Sequence, residues 1–211
     1  MKAMLTSSLG GSVRENGKRV PALLIQSNHL LENLKSIGIE KNVKLCADGA
    51  FTMADDRRCD EMVDEVCRKD SFYAGCDSEN REENRLVGLS ISSVVEKKCN
   101  KMDIDYKGIM IDFIERLNQS GYKVLIIANG ARIGSQKPRN NDLMICDAVY
   151  EGVKNKDMVR WYHKEMEAEE IRAYLGKCRF LVASRFHAMI GALEKKVPVL
   201  LVGWSHKYQE V

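Results

Sequence analysis

Residues 176–207, GKCRFLVASRFHAMIGALEKKVPVLLVGWSHK, decide the fold. They read as strand, helix, strand. Arg179 to Ser184 is a short apolar run, Arg185 to Lys195 has helical spacing, and the run Val197 to Gly203, with Pro198 near its start, is apolar again. Ser184 stands where an N-cap belongs, and Arg185, Phe186 and His187 fill the first turn of the expected helix. A helix start already presents unpaired backbone N–H groups and a partial positive charge. Acidic residues are normally preferred there, so an arginine fork and an imidazole added to it predict a pocket for a small, strongly anionic ligand.

The same alternation extends upstream. Arg85 to Ser90 predicts a strand, Tyr106 to Gln119 a helix with Ile109, Phe113, Ile114 and Leu117 on one face, and Tyr122 to Ala128 a buried strand. Asn141 to Gly152 predicts a helix, Val159 to His163 a short strand and Ala168 to Leu175 another helix. Strands apolar throughout and separated by helices predict an α/β fold, a Rossmann-like parallel sheet covered by helices on both faces. Such sheets bind ligands beyond the carboxyl ends of their strands. That edge collects Ser90, Ser92 and Ser93 after the first strand, Asn129 and Gly130 after the second, Ser184 to His187, and Trp204 to Lys207 after the last.

The first half is less regular. Residues 1–20 are small, polar and without periodicity; Leu30, Leu31, Leu34 and Ile37 follow helical spacing up to Gly38, and Val43 to Ala47 is a short strand. Ala54 to Glu83 is dense in charge and predicts a solvated helix followed by a linker. The boundary is therefore expected at 83/84, with residues 1–83 as the tail of one domain plus linker and 84–211 as a Rossmann-like donor-binding domain.

Composition excludes several classes. At 211 residues with 45% hydrophobic and 30% charged content the chain is an ordinary globular one. A net charge of +3, from 33 scattered basic residues, argues against a nucleic-acid surface. No run approaches the roughly 18 apolar residues of a membrane span, and the N-terminus lacks a signal-peptide core. Seven cysteines, odd in number and never in CxxC spacing, predict free thiols in a reducing cytoplasm rather than disulfides or a zinc site, with Cys46 and Cys178 as small core residues. No metal-ligand cluster is evident.

SRFHAMIGALEKKVPVLLVGWSHK (184–207) resembles the signature segment of the polysaccharide pyruvyl transferase family: an S-R-(L/F)-H-A start, a small-residue helix, a V-P-V strand and a lysine-bearing turn. LKSIGIEKNVKLCADGAFTM, RLVGLSIS and RNNDLMICDAV are weaker matches to its D-P-A-F-like element, an opening strand and an N-x-D loop, so the resemblance spans residues 23–207. It implies the C-terminal half of a glycosyltransferase-B-type fold of two Rossmann-like halves, with further strand–helix units expected before residue 23 and a closing helix after Val211. The sequence departs from the family where Gln26 and Asn129 stand in place of an Arg and a His, and where Trp204, Ser205, His206 and Lys207 replace a Y-D-P-K-like turn.

The resemblance also implies a transferase that moves the pyruvyl group of phosphoenolpyruvate onto a sugar of a cell-surface polysaccharide or its lipid-linked precursor, forming a ketal. Phosphoenolpyruvate is the donor substrate, and neither cofactor nor metal is required. On that reading Arg185 and His187 are the catalytic pair, Arg185 as anion clamp and His187 as acid or phosphate donor. Lys207 is a second cation on the phosphate, and Ser184, Phe186, Ser90, Ser92 and Asn129 complete the substrate site. The expected partners are the donor and a saccharide or lipid-linked saccharide, with no nucleic acid. The expected location is cytoplasmic, at the inner face of the membrane if the acceptor is lipid-linked. Two other readings compete: a nucleotide-sugar glycosyltransferase of the same shape, and an inactive fragment or binding module. Glu194 lies at the far end of the SRFH helix, where it does not serve ribose hydroxyls, and this favours a compact anion over a nucleotide.

Overall fold

The computed structural model describes residues 8–15, 18–25, 27–53, 56–76, 80–131, 141–204 and 208. The chain forms two compact units, residues 1–53 with 205–211, and residues 54–204.

In the smaller unit β1 (Ser8–Glu15) and β2 (Lys18–Ile25) pair antiparallel from Ser8↔Ile25 to Glu15↔Lys18, and β3 (Val43–Leu45) runs parallel to β2. Much of the stretch without periodicity thus lies in paired antiparallel strands. Its signal was the dipeptide Asn16-Gly17 between the two strands, a strong two-residue connection type. Helix α1 (Asn28–Ser36) is capped by the Ser27 side chain, which accepts from the Leu30 N–H at 3.0 Å. Leu30 and Leu34 pack on Ile25, whereas Ile37, expected on the same stripe, is 65% exposed at the helix end. Gly38 ends the turn at φ +79, and its N–H reaches the Lys35 carbonyl.

The larger unit carries a five-stranded, all-parallel sheet in the order β6-β5-β4-β7-β8. The strands are β4 (Leu86–Ser90), β5 (Lys123–Ile127), β6 (Val159–Arg160), β7 (Phe180–Ala183) and β8 (Val199–Leu201). Helices α3 (Ser93–Asn100), α4 (Tyr106–Gln119) and α5 (Leu143–Gly152) contact one another, and α6 (Ala168–Gly176) contacts both α2 (Arg57–Lys69) and α7 (Phe186–Glu194). Strand alternation feeds two cores. Leu89, Val124, Ile126 and Val182 join Ile114, Ile145 and Val149 in one cluster. On the other side Gly88 lies against Leu181, Cys178 and Leu175, where an added Cβ would come within 3.0 Å of Leu181. Each fully buried Leu or Ile contributes about 1.5–3 kcal/mol, so these sheet faces hold the unit together.

The structure differs in detail from the expected pattern. The α4 stripe runs through Tyr106, Met110 and Ile114, and Ile109 is 49% exposed. Helix α3 went unread because Val94 and Val95, poor helix formers, follow directly on a strand. The charge-dense segment, expected ahead of a boundary at 83/84, clusters with the larger unit of residues 54–204. The reason is how its charges and rings are used. Asp60 and Asp64 pair with Lys195 and Lys177, Asp70 pairs with Arg160, and Val63, Phe72 and Tyr73 are buried. The sheet is also not covered everywhere, since Leu200 on edge strand β8 is 59% exposed. All seven cysteines are free; Cys146 and Cys178 are buried, but Cys46 is only half-buried.

Candidate functional site

Strand order reverses at β4: β5 and β6 extend to one side of it, and β7 and β8 lie on the other. The loops leaving β4 and β7 therefore part in opposite directions at the carboxyl edge, the position where parallel sheets take ligands. Polar residues follow each strand there. Ser92 and Ser93 come after β4, Asn129 and Gly130 after β5, and Ser184 and Arg185 after β7.

These loops converge on one carboxylate, that of Asp142, which is fully buried. Its Oδ1 accepts from the Ser93 N–H at 2.9 Å and the Ser93 hydroxyl at 3.0 Å. Its Oδ2 accepts from the Gly130 N–H at 2.9 Å and from Arg185 Nε at 2.8 Å, and Arg185 Nη2 pairs with Oδ1. The Asp142 N–H in turn donates to the Gly130 carbonyl at 2.5 Å. Burying a carboxylate costs several kcal/mol, and a bidentate arginine with further N–H donors offsets that cost. Asp142 also lies at the start of α5, Ser93 is the first residue of α3 and Arg185 is the N-cap of α7. Three positive helix ends thus meet at one anion.

The cationic helix start predicted from SRFH is present, and the chain supplies an anion to it from 43 residues away. Arg185 Nε and Nη2 are engaged by Asp142, Nη2 also approaches Ser93 Oγ at 3.4 Å, and the side chain is 16% exposed. Among the described residues Nη1 has no hydrogen bond, so that edge of the fork remains available. Glycine at 130 leaves room for this arrangement. A Cβ there would come within 3.0 Å of Asp142 Oδ2 and 3.1 Å of Arg185 Nη2.

The other expected residues fall around this centre. His187 is exposed on the first turn of α7, and its ring meets that of half-buried Phe186 edge-on at 5.8 Å. Ser184 is not the N-cap: the helix begins one residue later, and the buried Ser184 hydroxyl lies 3.4 Å from the Tyr106 hydroxyl. Its N–H donates to the Ser90 carbonyl and its carbonyl accepts from Trp204 Nε1, which stitches β7 to β4 and to the end of β8. Ser90 is fully buried, with no partner for its hydroxyl among the described residues. Ser92, equally buried, caps α3 by accepting from the Val94 N–H at 3.3 Å, and its own N–H donates to the Tyr106 hydroxyl. Asn129 is half-buried beside Gly130. Lys207, His206, Ser205 and Gln26 lie outside the described residues.

Trp161 Nε1 and His163 Nδ1 both bond to Asp147 Oδ1 at 2.7 Å. Glu194 is confirmed at the far end of α7, paired with Arg172.

Sequence reasoning missed Asp142 and Tyr106. Asn141 and Asp142 stand together at the start of the predicted helix, yet one helix start has one N-cap position. Asn141 Oδ1 accepts from the Leu143 N–H at 3.1 Å, and the Asp142 side chain makes no capping bond. Two cap-type residues in succession were the available sign that one of them serves something else. Tyr106 was read as a helix start. It is 3% exposed under the Ser92 and Ser184 loops, and burial raises its phenol pKa.

Among the described residues no group of three or more His, Cys, Asp or Glu side chains is placed to hold a metal, and no helix is long and apolar enough to cross a membrane. The family model described as Polysaccharide pyruvyl transferase matches residues 29–206. No curated protein and no solved structure matches the sequence.

Proposed function

Because the chain belongs to the polysaccharide pyruvyl transferase family, we propose that it takes the pyruvyl group from phosphoenolpyruvate, gripped in the crevice between β4 and β7, and transfers it to a saccharide. The observation that carries this reading is the Arg185 guanidinium, fixed on Asp142 by Nε and Nη2 with Nη1 left over, one residue from the start of α7 and two from exposed His187. Phosphoenolpyruvate offers a carboxylate and a phosphate within one small molecule. Either anion can accept from Nη1 and from N–H groups at the start of α7.

The chemistry asks for one proton delivered and one leaving group stabilised. In its protonated form His187 delivers a proton to the methylene carbon, which makes the central carbon electrophilic. A sugar hydroxyl adds there and gives up its proton. A second hydroxyl of the same sugar then displaces phosphate, leaving a cyclic ketal and inorganic phosphate; the first hydroxyl's proton restores the His187 imidazolium and the second leaves with the phosphate. Arg185 and the helix ends stabilise the negative charge gathering on the departing phosphate. Ser90, Ser92 and Ser184 support the loops from beneath, Phe186 packs beside His187, and Asn129 stands at the rim for a sugar hydroxyl.

The test compares phosphoenolpyruvate with a panel of nucleotide sugars by thermal shift on the wild-type chain and on Arg185→Lys, which keeps a positive charge beside Asp142 but not the fork. Stabilisation by phosphoenolpyruvate that is lost in the variant supports the reading. Selective stabilisation by a nucleotide sugar, or by none of these ligands, overturns it.

A further inference from the structure

We infer that Asp142 is a positioning residue for ligand binding. Its buried carboxylate holds the Arg185 fork in one orientation and sets the loops after β4, β5 and β7 around the bound anion. The inference rests on the crevice being an anion site, as proposed above. No other described side chain joins these loops in this way: Ser93 from the first, Gly130 from the second and Arg185 from the third all donate to Asp142.

The arrangement has an electrostatic consequence. Arg185 and Asp142 cancel as charges, so the crevice does not attract anions through net charge on this pair. What remains is directional: the Nη1 donors, the N–H groups at the start of α7 and the imidazole of His187. Such a site selects by the placement of acceptor oxygens more than by total charge. Phosphoenolpyruvate, with two anionic groups at fixed separation, gains from a fixed fork. Inorganic phosphate, a single compact anion, gains more from a free one. Removing the Asp142 charge should therefore help the small ion and harm the larger ligand, a pair of opposite effects that loss of folding alone does not produce.

The experiment measures binding of phosphoenolpyruvate and of inorganic phosphate by calorimetry on the full chain, as wild type, Asp142→Asn, Ser93→Ala and Arg185→Lys. In Asp142→Asn the preference for phosphoenolpyruvate over phosphate should fall about tenfold, the scale of one hydrogen bond to a charged group, with phosphate itself binding more tightly. Ser93→Ala removes one donor from Asp142 and leaves both charges in place. It should shift the preference in the same direction by about threefold, and it keeps the test open if Asp142→Asn does not fold. Parallel weakening of both ligands, as in Arg185→Lys, or an unchanged preference would overturn the inference while leaving the anion site intact. A wild-type chain that binds neither ligand would overturn the anion-site reading and this inference with it.

Discussion

The two edges of the five-stranded sheet use similar residues to opposite ends. At the amino edge most donors are spent on closure, although buried Arg160 Nε has no partner among the described residues. Arg81 Nη2 donates to the Lys195 carbonyl at 2.8 Å, Lys123 Nζ to the Phe72 and Ala74 carbonyls, and Arg179 to the Glu82 carbonyl. Fully buried Asn84 bridges the Lys177 carbonyl and the Leu86 N–H. These bonds tie residues 57–84 across the strand starts. At the carboxyl edge the polar groups converge on Asp142 and leave one edge of an arginine without a partner among the described residues. Donors spent on backbone carbonyls make a seal; an arginine with an open outer edge makes a receptor.

That contrast yields predictions of distinct kinds. Phe72→Ala at the amino edge removes a buried ring that packs against Tyr73 and lies under Lys123 and Arg160, and should cost about 3–5 kcal/mol in denaturant unfolding. Phosphoenolpyruvate affinity of the folded fraction should not change, and a change would break the separation of the two edges. Arg185→Ala should cost a similar amount, about 3–5 kcal/mol, because it leaves the Asp142 carboxylate buried without its cation, and should abolish phosphoenolpyruvate binding in calorimetry.

Gly130→Ala is a finer probe. Its Cβ must displace Asp142 Oδ2 or the Arg185 guanidinium by a few tenths of an ångström. It should cost about 1–2 kcal/mol in stability and weaken phosphoenolpyruvate binding. Gly88→Ala, which would crowd Leu181 and Cys178 in the sheet core, should cost stability alone.

The smallest effect is in pH dependence. Burial pushes the Cys67 thiol from its usual 9.0 up to about 11. A folded-state pKa above the unfolded value means the folded form holds its proton longer. The associated stability is fully present below pH 9 and is lost as pH rises towards 11, by about 1 kcal/mol once partial exposure is discounted. Urea midpoints for wild type and Cys67→Ser over that range should diverge accordingly. Equal slopes would contradict it.

How much of this was legible in the sequence follows from the range of each interaction. The strands Phe180–Ala183 and Val199–Leu201 and the helix Phe186–Glu194 sit within the expected segments, because their signals are local: apolar runs, helical spacing and a proline. The placement of Arg185 and His187 at a carboxyl-edge helix start was readable for the same reason. The Arg185–Asp142 pair was not, since it joins positions 43 residues apart across two strands and nothing in either local sequence names the other. Ser184 was misplaced by one residue because a serine before a helix usually caps it, whereas here the hydroxyl turns inward to Tyr106. The ties of the charge-rich segment Ala54 to Glu83 were not legible because two of its partners, Lys177 and Lys195, lie more than 100 residues away.

The account depends on what the outward edge of Arg185 does when the donor arrives. A crystal structure of the chain with phosphoenolpyruvate should place an anionic oxygen of the ligand on Arg185 Nη1, with Nε and Nη2 still on Asp142 and His187 beside the methylene carbon. A ligand seated elsewhere, or an Arg185 that leaves Asp142 to reach it, would contradict the account.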